Sequence, residues 1–300
     1  MYLEEPSNSF IRDENDVKIK DLEKKIPLIG IPWDWSTGGR PGARFSPQEI
    51  RKELYSLRSD VYKIREIKYG FKDLGNVKVV PGDVDGTSHR IISVAEKAFS
   101  EYTPTVFLGG DHSITKNILI GLINFYKKIG LIVFDAHYDL REVNEGLTSG
   151  SWLNELLKSY KEKFEVIQIG ISDYSNPPYM KKIADKFGIK VFYRDQISEG
   201  FDIIFNEIKM IKEKTDGLYI SIDMDHLDQS FAPGVNSPTA LGMYPDETIK
   251  IIKEIVKNVN LLGLDVTEIA PPFDLNNMTS RLAAKLILYT LNYYIGNKNE

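Results

Sequence analysis

The chain has 300 residues, enough to bury a large core as one α/β domain or two small ones. A net charge of −5 without a long basic run argues against nucleic acid or an anionic membrane surface as the main partner. The absence of cysteine excludes disulfides, thiolate metal sites and cysteine nucleophiles, and fits a cytoplasmic protein.

The start, Met1-Tyr2-Leu3-Glu4-Glu5, lacks the basic-then-apolar order of a signal peptide, and the apolar runs fall short of a membrane span. Residues 1–26 are polar and charge-rich and predict a surface arm. From Pro27 onward short apolar runs alternate with longer helical patterns. The predicted order is strand 28–31, helices 47–57 and 88–101, strand 105–108, helix 114–128, strand 131–134, helix 151–161, strand 166–169, helix 178–187, strand 190–192, helix 203–214, strand 218–222, helix 246–258, strand 261–264 and helix 279–294. This alternation predicts a parallel sheet covered by helices on both faces, in one domain, since no Pro/Gly/Ser-rich linker divides it.

Two predicted strands end in alternating metal-ligand residues: Asp135-Ala136-His137-Tyr138-Asp139 and Asp223-Met224-Asp225. Strand alternation would turn Asp135, His137 and Asp139 to one face, and Asp223 and Asp225 likewise. Four carboxylates and an imidazole gathered in this way need cations. Two more strands run into polar groups, Gly109-Gly110-Asp111-His112 and Asp265-Val266-Thr267-Glu268, so four strand ends would make one rim beyond the carboxyl edge of the sheet. Such donors suit Mn²⁺ first, with Zn²⁺, Fe²⁺ and Ni²⁺ compatible. A metal pair would activate water against an electrophilic carbon or phosphorus, and residue types alone do not choose between them. The plain alternative for any single Asp here is a turn or helix cap; what favours metal is the recurrence of the pattern.

Gly109-Gly110-Asp111-His112-Ser113, Asp135-Ala136-His137-Tyr138-Asp139 and Ser221-Ile222-Asp223-Met224-Asp225 together resemble the three signature motifs of the ureohydrolase (arginase–agmatinase) superfamily, in its order. The resemblance covers the chain from about residue 27. It implies a three-layer α/β/α fold and two Mn²⁺ ions per subunit. His112 and Asp139 would serve one metal, His137 and Asp225 the other, with Asp135 and Asp223 bridging. The activated water would attack the central carbon of an amidine or guanidinium, Asp139 would pass a proton to the leaving amine, and Glu268 would hold the cationic group. The resemblance also implies a homo-oligomer, a trimer or hexamer.

One departure bears on substrate. Arginases and agmatinases carry a histidine on the loop after the second motif; here that loop reads Leu147-Thr148-Ser149-Gly150-Ser151-Trp152, and the four histidines are His89, His112, His137 and His226. Ser149 stands where the histidine would be, and a hydroxyl cannot shuttle protons near neutral pH as imidazole can. Formimidoylglutamases also have a Ser-Gly pair there, although their usual Thr-Pro-Phe continuation is Ser151-Trp152-Leu153 in this chain. Leu140-Arg141, the run Ala232-Pro233-Gly234-Val235-Asn236-Ser237-Pro238 and Thr279-Ser280-Arg281 lean the same way. Formimidoyl-glutamate, giving glutamate and formamide, is therefore the leading substrate, with Arg141 or Arg281 meeting a carboxylate; the plain alternative for each is a surface or structural salt-bridge arginine. The alternatives are agmatine or another guanidino compound, releasing urea, and a non-catalytic metal-binding paralogue. His226 should face away from Asp225 and support the site from behind or pack in the core, His89 should be ordinary, and Trp33, Trp35 and Trp152 should pack, or line the substrate mouth.

Overall fold

A computed structural model describes residues 3–4, 24–56, 69–142 and 148–296. Among them nine strands form one sheet: β1 (Leu3–Glu4), β2 (Lys24–Gly30), β3 (Tyr69–Val77), β4 (Thr105–Leu108), β5 (Ile129–Phe134), β6 (Phe164–Ile171), β7 (Lys190–Tyr193), β8 (Gly217–Asp223) and β9 (Leu261–Thr267). Their spatial order is β1-β3-β2-β4-β9-β8-β5-β6-β7. All neighbouring pairs are parallel except β1 with β3.

The strands are near-continuous apolar runs because both faces are covered. In β5 the burial alternates by side: Ile132 and Phe134 join one core with α1 (Ser46–Ser56). On that same side lie α6 (Arg194–Glu199), α7 (Asp202–Lys214), α8 (Pro245–Ile255) and α9 (Met278–Gly296). Leu131 and Val133 join the other core, against α2 (Val84–Glu101), α3 (Ser113–Leu122), α4 (Trp152–Tyr160) and α5 (Pro178–Phe187). The result is the three-layer α/β/α arrangement. No helix among the described residues is long and apolar enough to cross a membrane.

Two strands were not foreseen. β3 reads Tyr-Gly-Phe-Lys-Asp-Leu-Gly-Asn-Val, and its glycines and charges break the apolar signal. It is held from α1 by Arg51, whose guanidinium donates to both carboxylate oxygens of Asp73 (2.9 and 3.0 Å) and to Asn76 Oδ1 (2.7 Å). β1 and the first residues of β2 fall inside the expected polar arm; residues 1–2 and 5–23 of that arm, residue 57 at the end of the first expected helix, and Leu147 lie outside the described residues.

Position in the sheet matters most for function. The chain passes from β4 to β5 and only later inserts β9 and β8 between them. The carboxyl ends of β4, β9, β8 and β5 thereby become neighbours, where polar groups of an open parallel sheet collect.

Candidate metal centre

After β4 the chain must run close to the segment following β2. Gly109 N–H donates to Val266 O (2.8 Å) and Asp111 N–H to Trp33 O (2.7 Å). A Cβ on Gly110 would lie 1.7 Å from Trp33 O, so only glycine fits. Asp111 is fully buried and accepts from the N–H groups of Ser36 (2.9 Å) and Ser113 (3.1 Å). Burial pushes its carboxyl up to about 7 against those bonds. It is an anchor that presents the next residue, His112, at the start of α3.

The His112 ring is oriented from behind. Its Nε2 meets Ser221 Oγ at 2.9 Å, and Ser221 Oγ donates its own proton to Asp265 Oδ1 (2.6 Å). Asp265 also accepts from Tyr219 OH (2.9 Å) and Thr115 Oγ1 (3.1 Å). With the serine proton committed to Asp265, Nε2 carries the ring hydrogen and Nδ1 presents the lone pair. Nδ1 lies 3.1 Å from Asp135 Oδ2, 3.0 Å from Asp139 Oδ2 and 3.1 Å from Asp223 Oδ2. Neither Nδ1 nor Asp135 Oδ2 has a hydrogen-bond partner, although both are buried. A lone pair and three carboxylate oxygens converging on one buried point repel one another unless a cation sits there. The donor set fits a divalent metal.

A second group lies alongside: His137 Nδ1 is 3.1 Å from Asp225 Oδ2 and 3.5 Å from Asp135 Oδ1. Asp135, His137 and Asp225 could hold one ion, and His112, Asp135 and Asp139 another, with Asp135 common to both.

Turns, and not strand alternation, bring these residues together. β5 ends at Phe134, so Asp135, His137 and Asp139 lie beyond it. His137 N–H donates to Asp135 Oδ1 (2.6 Å), as Asp225 N–H does to Asp223 Oδ1 (2.9 Å). Each is an aspartate turn in which the side chain binds the backbone two residues on. One oxygen is held in this way, and Oδ2 of Asp135 and of Asp223 is aimed at His112. Asp139 adopts φ 51° and Glu268 φ 64°, left-handed conformations that cost energy and collect at functional sites.

Electrostatics match a cluster built around positive charge. Burial works against charge on both rings, yet Asp135, Asp139 and Asp223 raise His112, and Asp225 and Asp135 raise His137. Burial would lift the Asp135 carboxyl, but the two histidines hold it well below the usual range. Asp223 is pushed well up by burial and by Asp225 and Asp135, and Asp139 to about 6 by burial and Asp135.

The cluster opens onto a cavity lined by His137, Asp139, Asp223, Asp225 and Glu268, with Arg141, Ser149, Gly150 and Asn236 on its walls. Glu268 is buried; its Oε1 accepts His112 N–H (2.7 Å), while Oε2 has no partner. Ser149 is tied by its N–H to Ser36 O (2.7 Å). Arg281 lies elsewhere: on α9, half-exposed, its Nε donates to Glu53 Oε2 at 2.6 Å, and it does not line the cavity. His226 is buried and neutral, with Nε2 on Thr248 Oγ1 (2.9 Å) and Nδ1 on Asp223 O; burial lowers it to about 4. His89 is exposed on α2, Trp35 is half-exposed and Trp33 is buried. Trp152 is buried, its Nε1–H donating to Asp139 Oδ2 at 2.7 Å.

Three residues that the sequence reading named only within motifs take roles it did not give them. Ser221 and Asp265 form the brace behind His112; Asp265 was expected on the rim beyond its strand, whereas β9 extends through Thr267 and holds it in the buried sheet. Asn236 lines the cavity with a buried, unpartnered Oδ1, its Nδ2 held by Thr37 Oγ1 at 2.9 Å.

Comparison with known proteins agrees with this geometry. The arginase family model matches residues 24–292. Formimidoylglutamase of Bacillus subtilis (strain 168) is 33% identical, over 97% of this chain and 96% of that protein. Formimidoylglutamase of Halalkalibacterium halodurans is 35% identical, over 90% of this chain and 86% of that one. A crystal structure of the formimidoylglutamase from Bacillus subtilis subsp. subtilis str. 168 superposes with a TM-score of 0.86 at 31% identity, covering 97% of this chain and 96% of that one. Over nearly its whole length, in motifs, fold and relatives, this chain belongs to the arginase family.

Proposed function

We propose that the chain is a binuclear manganese hydrolase of linear C–N bonds, acting on N-formimidoyl-glutamate to give glutamate and formamide. The observation that carries this reading is that one cavity, which the His/Asp cluster also lines, holds both an unpartnered buried carboxylate oxygen on Glu268 and the guanidinium-bearing Arg141. A substrate with a cationic amidine at one end and carboxylates at the other satisfies both. The relatives named formimidoylglutamase point the same way.

His112 and Asp139 would hold one Mn²⁺ and His137 and Asp225 the other, with Asp135 and Asp223 shared. When bound, the two ions supply water activated for attack near neutral pH. Glu268 Oε2 takes the amidine N–H groups in a charge-assisted bond and fixes the formimidoyl carbon above the cluster. Arg141 receives a carboxylate, and Ser149, Gly150 and Asn236 wall the substrate between these ends. Asp139 would take a proton from the attacking water and, as the C–N bond to glutamate breaks, give it to the departing nitrogen, which cannot leave as an anion. With serine at 149, this duty falls to the carboxylate alone. A trimer or hexamer and a cytoplasmic location belong to the same reading.

The test is a substrate panel assayed with Mn²⁺, following formamide and glutamate in one channel and urea in the other. Robust formimidoyl-glutamate turnover is expected; urea released from agmatine as the dominant activity would overturn the substrate. Two Mn²⁺ per chain by elemental analysis is expected of the enzyme, and a metal-free, inactive chain would indicate the non-catalytic paralogue.

A further inference from the structure

We propose that Trp152 is a positioning residue that divides the labour of the two Asp139 oxygens, its indole N–H holding Oδ2 on the metal side and leaving Oδ1 free to carry the proton. This rests on the function proposed above.

Four observations carry it. An indole nitrogen is a donor only, so the 2.7 Å contact from Trp152 Nε1 to Asp139 Oδ2 has one sense. The same Oδ2 lies 3.0 Å from His112 Nδ1, at the point where the metal-ligand atoms converge. The Trp152 ring packs against another member of that group, its centroid 4.8 Å from that of His112. Among the described residues no side chain donates to Asp139 Oδ1, and Asp139 lines the cavity.

The backbone reinforces this grip. Asn154, two residues into the helix that Trp152 opens, donates through Nδ2 to Arg141 O (2.9 Å) and Leu140 O (3.3 Å), and through its N–H to Asp139 O (3.4 Å). The start of α4 thus clamps residues 139–141, where Asp139 holds a left-handed conformation that needs external support. In a chain without the loop histidine, a carboxylate with one oxygen committed and the other free is the group left to deliver a proton to the leaving amine.

Trp152→Phe keeps a buried ring beside His112 and removes the N–H. Loss of an outer hydrogen bond to a metal ligand weakens metal binding by roughly 10- to 100-fold. Titration with Mn²⁺ is expected to show that loss at one of the two sites, with the other unchanged, and kcat falling more than KM rises. A Trp152→Phe protein that binds both ions as tightly as the wild type and keeps its kcat would overturn the inference. Should the variant not fold, the wild-type chain still decides. Its three indole ¹⁵N–H resonances, assigned through Trp33→Phe and Trp35→Phe, should include a downfield, exchange-protected Trp152 signal that one equivalent of Mn²⁺ broadens away. An ordinary, freely exchanging Trp152 signal would overturn it equally. Failure of the underlying reading looks different: the wild type itself would then bind no Mn²⁺.

Discussion

Glu268 and Arg141 sit at opposite ends of the substrate problem, and each can be tested alone. Glu268→Gln keeps an acceptor for His112 N–H but turns an amide toward the amidine in place of a charge. A hydrogen bond to a charged group is worth about 1.5–3 kcal/mol, so kcat/KM should fall by roughly 10- to 150-fold while the fold and the metal content persist. Loss confined to metal content would contradict the substrate role. Arg141→Ala should raise KM for formimidoyl-glutamate by at least about tenfold, because a bidentate carboxylate partner is lost, and should leave an amidine lacking carboxylates unaffected. Equal effects on both would mean that Arg141 supports the loop and not the substrate. The histidines set the pH response. Burial works against charge on both rings, yet the neighbouring carboxylates raise His112 and His137 above the ordinary value, so without metal both rings are shifted toward the protonated form. Mn²⁺ takes the unprotonated ring. Binding at pH 7 should therefore release protons, and apparent affinity should weaken as pH falls. Mn²⁺ titration in weak buffer with a pH indicator checks the sign; proton uptake would refute it.

At the scale of elements, the site depends on short turns fastened to rigid strands. The Gly109-Gly110 step threads between Trp33 and Val266 before α3 begins, and a methyl group on Gly110 would overlap the Trp33 carbonyl. Gly110→Ala should cost more than about 3 kcal/mol, since backbone must move to admit it, and should impair metal loading because His112 follows two residues later. Denaturant midpoints and metal analysis would show both; a stable, fully loaded variant would show that the segment yields. The aspartate turns at Asp135 and Asp223 were only half legible. The D-x-H-x-D and D-x-D spacings marked the residues, but the alternation argument supplied the wrong cause. β5 hands over to a turn just before Asp135 and β8 at Asp223, and the backbone N–H two residues on selects which oxygen is free.

At the scale of the molecule, the metals should hold the loops together as well as do chemistry. The six side chains proposed as ligands come from the carboxyl ends of β4, β5 and β8, so an ion that binds only the folded state would stabilise it by about 2.7 kcal/mol per site at a hundredfold excess over Kd. Stripping both ions with a chelator should lower the thermal midpoint by on the order of 10 °C, and Mn²⁺ should restore it. An unchanged midpoint would mean that the cluster is not loaded by the added ion.

Much of this architecture is written locally. Apolar runs with helical intervals specify a parallel sheet covered on both faces, because a strand buried on two sides has no polar face to show. The three motifs mark the His and Asp residues of a cluster that could hold metal, because residue type at short spacing is a local property. What local pattern could not supply is neighbourhood across the sheet. β3 carries too little apolar signal to be read alone, and Arg281 and Arg141 look equally able to meet a carboxylate until one is found on Glu53 and the other in the cavity. Trp152 reads as packing until its N–H is found on Asp139. The sequence by itself determined the layers and the family, and it named the residues that the structure gathers into a cluster able to hold metal. The tertiary structure decided the order in which β9 and β8 slip between β4 and β5. That order depends on long-range strand pairing, which no window of sequence contains, and it gathers the four strand ends into one site.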